Sequence, residues 1–149
     1  MGNESGTTNT EYPDLPRAAI GVIVFKEDKI LLIRRGKAPS EGMWAVPGGS
    51  VKLGETFQEA AEREIREETG LTIRAREPVF TFDVIQRDNH GRIRFHYVIV
   101  DLIADYLYGE PKAGDDALDV RWVSSGELKC LDVSKTTRKV LRERFGFGS

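Results

Sequence analysis

The chain contains a single cysteine, Cys130. That excludes an intrachain disulfide framework, and with no partner cysteine a thiolate zinc site is not expected. Cys130 is expected to be a buried or half-buried structural thiol rather than a nucleophile. Histidine is scarce too. His90 falls in a turn segment and His96 in a strand segment, and neither has a nucleophile motif around it. Both are read as structural. No apolar run approaches the roughly 18–20 residues that span a bilayer. The opening MGNESGTTNTEYPDLP is polar and lacks the apolar stretch of a secretion signal. A cytoplasmic location with no membrane partner is therefore expected. Charge of one sign is also missing: 22 Lys and Arg are interspersed with 24 Asp and Glu, for a net charge of −2. That leaves no broad basic face for nucleic acid.

What is present suits one domain. The 149 residues suffice for one core. The expected division is a flexible tail over 1–14 and a single domain over 15–149. Residues 17–25 (RAAIGVIVF) and 29–34 (KILLIR) read as two strands of a hairpin. Residues 44–46 form a short strand that Pro47 ends, and Gly48-Gly49 reads as a loop ahead of the helix. Thr56 with Glu59 three residues on makes a capping box, so a helix runs from there to about Thr69, with Gly70 as its stop. Residues 71–76, 79–86 and 92–104 read as further strands, the last alternating and then almost wholly apolar, as a central strand would. A loop rich in Gly, Pro and Asp follows over 107–117. Residues 118–123 form a last strand. A short helix starts at Ser124–Ser125, and Ser134 begins another that ends near Phe145. Strands outnumber helices, so the expected class is α+β, a mixed sheet with helices on its faces in an α/β/α sandwich.

The helix carries an anomaly. At 100° per residue, Glu64, Glu67 and Glu68 fall within an arc of about 100°, and Phe57, Ala60 and Ala61 point the same way. Like charges three and four residues apart cost roughly 0.2–0.5 kcal/mol per pair on an exposed helix. Nearer a core the cost rises unless something neutralises them. Glu59, Glu62, Arg63 and Arg66 fit a solvated face, with Glu62 and Arg66 in the favourable i, i+4 order. Glu64, Glu67 and Glu68 do not. A divalent cation would resolve the conflict, and it points to phosphate chemistry.

Gly49, Glu55, then Arg63-Glu64-Ile65-Arg66-Glu67-Glu68-Thr69-Gly70-Leu71 resemble the complete Nudix box. The entry through Trp44, Pro47 and Gly48, and the later strand with Trp122, resemble the flanks of that family. The resemblance implies hydrolysis of a nucleoside diphosphate linked to another moiety, with Mg²⁺ or Mn²⁺. It implies Glu64, Glu67 and Glu68 as metal ligands, with the Gly49 carbonyl completing the site. It implies that Arg63 anchors a neighbouring carboxylate and that Glu55 supports the loop or a second metal. Glu67, Glu68 or an acid outside the box takes the proton from water. Asp116, beside Asp115 in the 107–117 loop, is the outside candidate, with a plain turn role as its alternative. The resemblance leaves a homodimer open.

The resemblance implies a small nucleotide as substrate. Arg17 and Arg34, with Arg35, stand at strand ends and are candidates for binding phosphate. Phe82 and Tyr97 are candidate rings for a base. The stretches DNHGRIRFHYVIVD and GEPKAGDDALDVRWV resemble bacterial ADP-ribose pyrophosphatases, so ADP-ribose or an ADP-sugar is the expected substrate. The proline those enzymes carry about sixteen residues after the box is replaced by Arg87. The alternatives are a MutT-like triphosphatase acting on damaged nucleotides and, more remotely, a non-catalytic nucleotide sensor.

Overall fold

The computed structural model describes residues 11–148. The elements run β1 (Arg17–Lys26), β2 (Lys29–Arg35), β3 (Trp44–Ala45), β4 (Gly48–Ser50), α1 (Phe57–Thr69), β5 (Thr72–Arg87), β6 (Ile93–Tyr108), β7 (Ala117–Ser124), α2 (Ser125–Leu128) and α3 (Lys135–Phe145). The described strands join in one mixed sheet with the spine β3-β2-β1-β6-β5; β4 pairs with β1, and β7 with β2. Only β1 and β6 among these pairs run parallel.

Strand alternation sorts the core into two layers. On one face Val22, Val24, Leu31, Val100 and Leu102 meet Ala60, Ala61 and Ile65 of α1. On the other, Ile23, Ile30, Leu32 and Val123 meet Leu128 of α2 and Val140 and Leu141 of α3. Helices on both faces of one sheet give the expected sandwich. Full burial of a side chain such as Ile65 contributes about 1.5–3 kcal/mol. Two alanines beside it let α1 lie close to the sheet.

Both ends of α1 are fixed locally. The Thr56 hydroxyl accepts from the Glu59 N–H at 3.0 Å, and the Glu59 carboxylate accepts from the Thr56 N–H at 2.9 Å. Such a cap contributes about 1 kcal/mol. Gly70 takes a left-handed φ of 75° and donates its N–H to the Arg66 carbonyl, a geometry that disfavours any side chain.

Several expectations change. The segments 71–76 and 79–86 are one strand, β5; its register against β6 shifts around Pro78, which has no N–H for the ladder. β6 continues to Tyr108, and Gly48–Ser50 is a strand rather than a loop. Cys130 is exposed, in the turn after α2, and is not a buried thiol. Phe57 is 40% exposed at the first turn of α1, where the helix has not yet met the sheet. Glu62 does not pair with Arg66: its carboxylate accepts the Ala75 N–H at 3.0 Å instead. Of the expected tail, residues 1–10 lie outside the described residues. Glu11 pairs with Arg94, and Tyr12 donates its hydroxyl to Asp88 at 3.0 Å.

Candidate active site

A cleft of about 1210 Å³ opens between α1, the Gly48–Ser50 strand, the β5–β6 sheet surface and the start of α3. Glu64, Glu67 and Glu68 all line it, so the acidic arc of α1 faces a cavity rather than the core. A smaller pocket of about 490 Å³ lies under residues 11–16 and holds none of the box acids.

The three acids differ by depth. Glu68 is 8% exposed and accepts the Gly48 N–H at 3.0 Å. Burial, then the nearby Glu64 charge, pushes its carboxyl up to about 8. Glu64 is also raised, mainly by burial, with Arg63 opposing. Glu67 lies shallowest, with 42% of its side chain exposed.

Arg63 is not on a solvated face; 19% of its side chain is exposed. Its guanidinium donates to both Glu55 oxygens at 2.6 and 2.9 Å, to Glu64 at 2.9 Å, to Glu67 at 3.2 Å and to the Ser50 carbonyl at 3.0 Å. The Lys52 N–H also binds Glu55. Glu55 therefore holds Arg63 in place, and Arg63 holds the acids. The bidentate fork holds the Glu55 carboxyl below its ordinary range and raises the Arg63 guanidinium.

The Asp115–Asp116 loop is tied to the same helix. The Gly114 N–H donates to the Glu68 carbonyl at 2.9 Å, and a Cβ at Gly114 would overlap the Glu67 carbonyl. Asp116 lines the cleft, its carbonyl accepts the Gly36 N–H, and its carboxylate pairs with Lys37 at 2.8 Å. The turn role and the cleft position thus belong to the same residues.

The donor chemistry fits a hard divalent cation, which takes carboxylate and carbonyl oxygens. Gly49 packs so closely on Glu64 that a Cβ there would overlap its carboxylate. This brings the backbone of β4 against the acids, as a mixed carbonyl–carboxylate site needs. Among the described residues, no cluster of three acidic, His or Cys side chains stands in coordinating geometry. Arg63 takes one oxygen each of Glu64 and Glu67, so each carboxylate keeps its other oxygen for a cation while Arg63 orients it.

The expected recognition residues divide. Arg17, Phe82 and Tyr97 line the cleft. Arg34 does not: it donates to the Gly42 carbonyl on the outside. The next residue, Arg35, faces inward, near Glu68, Tyr97 and Asp116, and burial lowers its guanidinium. Strand alternation permits only one of two adjacent arginines to face the cleft. Asp101, also in the lining, was hidden inside an apolar strand run; a lone acid in VIVDLIA was the available signal.

The sequence profile of the NUDIX domain matches residues 15–143. The chain is 38% identical over 133 residues to an ADP-ribose pyrophosphatase of Methanocaldococcus jannaschii, covering 88% of this chain and 76% of that protein. It is 37% identical over 115 residues to the nucleoside triphosphatase NudI of Escherichia coli K12, covering 72% of this chain and 79% of that one. A MutT NUDIX hydrolase from Burkholderia pseudomallei superposes with a TM-score of 0.69 at 29% identity, over 87% of this chain and 98% of that one. With its acids, its Gly-Gly strand and its capped helix in these positions, the chain belongs to the Nudix hydrolase family.

Proposed function

We propose that the protein hydrolyses the pyrophosphate linkage of a nucleoside diphosphate derivative, with ADP-ribose or an ADP-sugar as substrate. The observation that carries this is the pair of half-buried Glu64 and buried Glu68, set against Gly48–Gly49 in a cleft that also holds Arg17 and Arg35. Buried acids without enough counter-charge fit a cation, and two inward arginines fit phosphate. The M. jannaschii relative supports the ADP-ribose reading.

Glu64, Glu67, Glu68 and the Gly49 carbonyl would hold Mg²⁺ or Mn²⁺. When bound, the cation supplies Lewis-acid neutralisation of phosphate charge and a lowered pKa for water. Arg17 and Arg35 hold the diphosphate and fix its angle to the acids. Glu67, the shallowest acid, takes the proton from the attacking water, and Asp116, which lines the same cleft, is the second acceptor. Arg63 is a positioning residue that keeps the carboxylates apart and orders them through Glu55. No helix among the described residues is long and apolar enough to cross a membrane.

The NudI relative supports a second reading, a nucleoside triphosphatase. A panel of nucleotides incubated with Mg²⁺, with products weighed by mass spectrometry, separates the two. AMP plus ribose phosphate from ADP-ribose supports the first. Nucleoside monophosphate plus pyrophosphate, with ADP-ribose left intact, replaces it with the second.

A further inference from the structure

Asp101 is 1% exposed, and neither carboxyl oxygen has a hydrogen-bond partner among the described residues. Native interiors seldom leave a buried carboxyl unpartnered, because an unmade hydrogen bond forfeits its full desolvation cost. The group is not a remnant of the core. It lines the cleft together with Gly21 and Val46. Its Oδ1 lies so close to the Gly21 Cα that a Cβ there would overlap it, and Val46 flanks the same spot. The sequence keeps a glycine on β1 where a side chain would displace this acid.

The location is informative. Asp101 stands opposite Gly21 in the parallel β1–β6 pair, and Gly21 stands opposite Gly48 in the β1–β4 pair. The Asp101 backbone is two strand spacings from β4, but its carboxyl reaches back over Gly21 and so lies about one spacing, ~5 Å, from the strand that meets the acids. The surroundings are apolar in one direction, through Val46, Ile99 and Phe82, and polar in the other, where the Val46 N–H donates to Thr137 at the start of α3. A flat heterocycle with a polar edge matches that lining.

We propose that Asp101 is the specificity-determining residue that reads the substrate base, its carboxyl pairing with the exocyclic amino group and adjoining ring nitrogen of adenine. A neutral carboxyl offers one donor and one acceptor, the complement of that edge. Burial favours the neutral form, raising the group to about 7. The choice of adenine rests on the ADP-ribose reading above; the placement of a base at Asp101 does not.

The test compares wild type, Asp101→Asn and Asp101→Leu. Two quantities are measured: kcat/KM for ADP-ribose and for its 6-desamino analogue, and calorimetric binding of AMP and purine riboside monophosphate with Mg²⁺. Wild type should favour the amino compound roughly 10–100-fold in both. Asn keeps a donor and an acceptor and should retain most of that preference, whereas Leu should bring the ratio to about 1. A Leu variant that loses both substrates alike with the ratio intact would overturn the proposal. So would a wild type that binds both monophosphates equally, a result that stands even if the Leu variant does not fold. If ADP-ribose is not hydrolysed but AMP still binds with the amino preference, the substrate assignment fails and the role of Asp101 stands.

Discussion

Glu68 and Asp101 are both buried carboxylates in the same cleft, and both are held well above their ordinary range. Their surroundings differ. Glu68 accepts a backbone N–H, lies near Glu64, Arg35 and Asp116, and feels opposing charges. Asp101 is raised by burial alone and has no hydrogen-bond donor among the described residues. The proposed function completes one region with a cation, and the proposed role of Asp101 completes the other with hydrogen bonds from a ligand. The difference teaches that a raised carboxyl does not by itself define a role; the company it keeps does.

The largest effect expected from breaking this comparison is catalytic. Glu64→Gln and Glu68→Gln should each lower kcat by roughly 10²–10⁴-fold in steady-state assays at saturating Mg²⁺. Turnover near wild type in both would remove the metal role. Gly49→Ala, whose Cβ overlaps the Glu64 carboxylate, should cost about 10²-fold by misplacing that group.

Next comes stability against pH. Both carboxyls keep their protons in the folded state at pH values where the unfolded chain has lost them. The folded state therefore binds more protons, and stability falls as pH rises. For Asp101 the loss runs from about pH 4 to about 7, and for Glu68 from about 4.5 to about 8. In EDTA at pH 8, Glu68→Gln and Asp101→Asn should each raise Tm by about 5–10 °C in thermal melts. Adding Mg²⁺ should raise the Tm of the wild type and shrink the Glu68→Gln advantage while leaving that of Asp101→Asn. Equal responses to Mg²⁺ would erase the distinction between the two acids.

The smallest effect concerns the rim. Lys37→Met removes an ion pair with Asp116 in which both side chains are about half exposed. Tm should move by about 2 °C or less. A small KM change with kcat retained would show that the Asp115–Asp116 loop is held mainly by Gly36 and Gly114 through backbone.

Much of the site was legible because it lies on one helix. A 3.6-residue period places Glu64, Glu67 and Glu68 together whatever the rest of the chain does, and caps such as Thr56 and Gly70 act within a few residues. Legibility fell where two segments had to meet. Arg63 looked solvated because its partners Glu55 and Ser50 come from the loop and strand before the helix. Telling Arg35 from Arg34 as the arginine that faces the cleft requires the strand register, because a one-residue shift reverses the face. The break near Pro78 looked like a strand end but is a register shift within β5, because the long β6 partner carries pairing across it.

The sequence by itself determined the reaction class, through a local motif whose geometry is the geometry of a helix and the turn before it. Only the tertiary structure decided how deep each acid sits, which arginines face the cleft, and that Asp101 lies at its floor with Gly21 beside it. The physical reason is that burial and pairing are set by strands far apart in the chain. β1 stands between β4 and β6, bringing residues 21, 48 and 101 into one row.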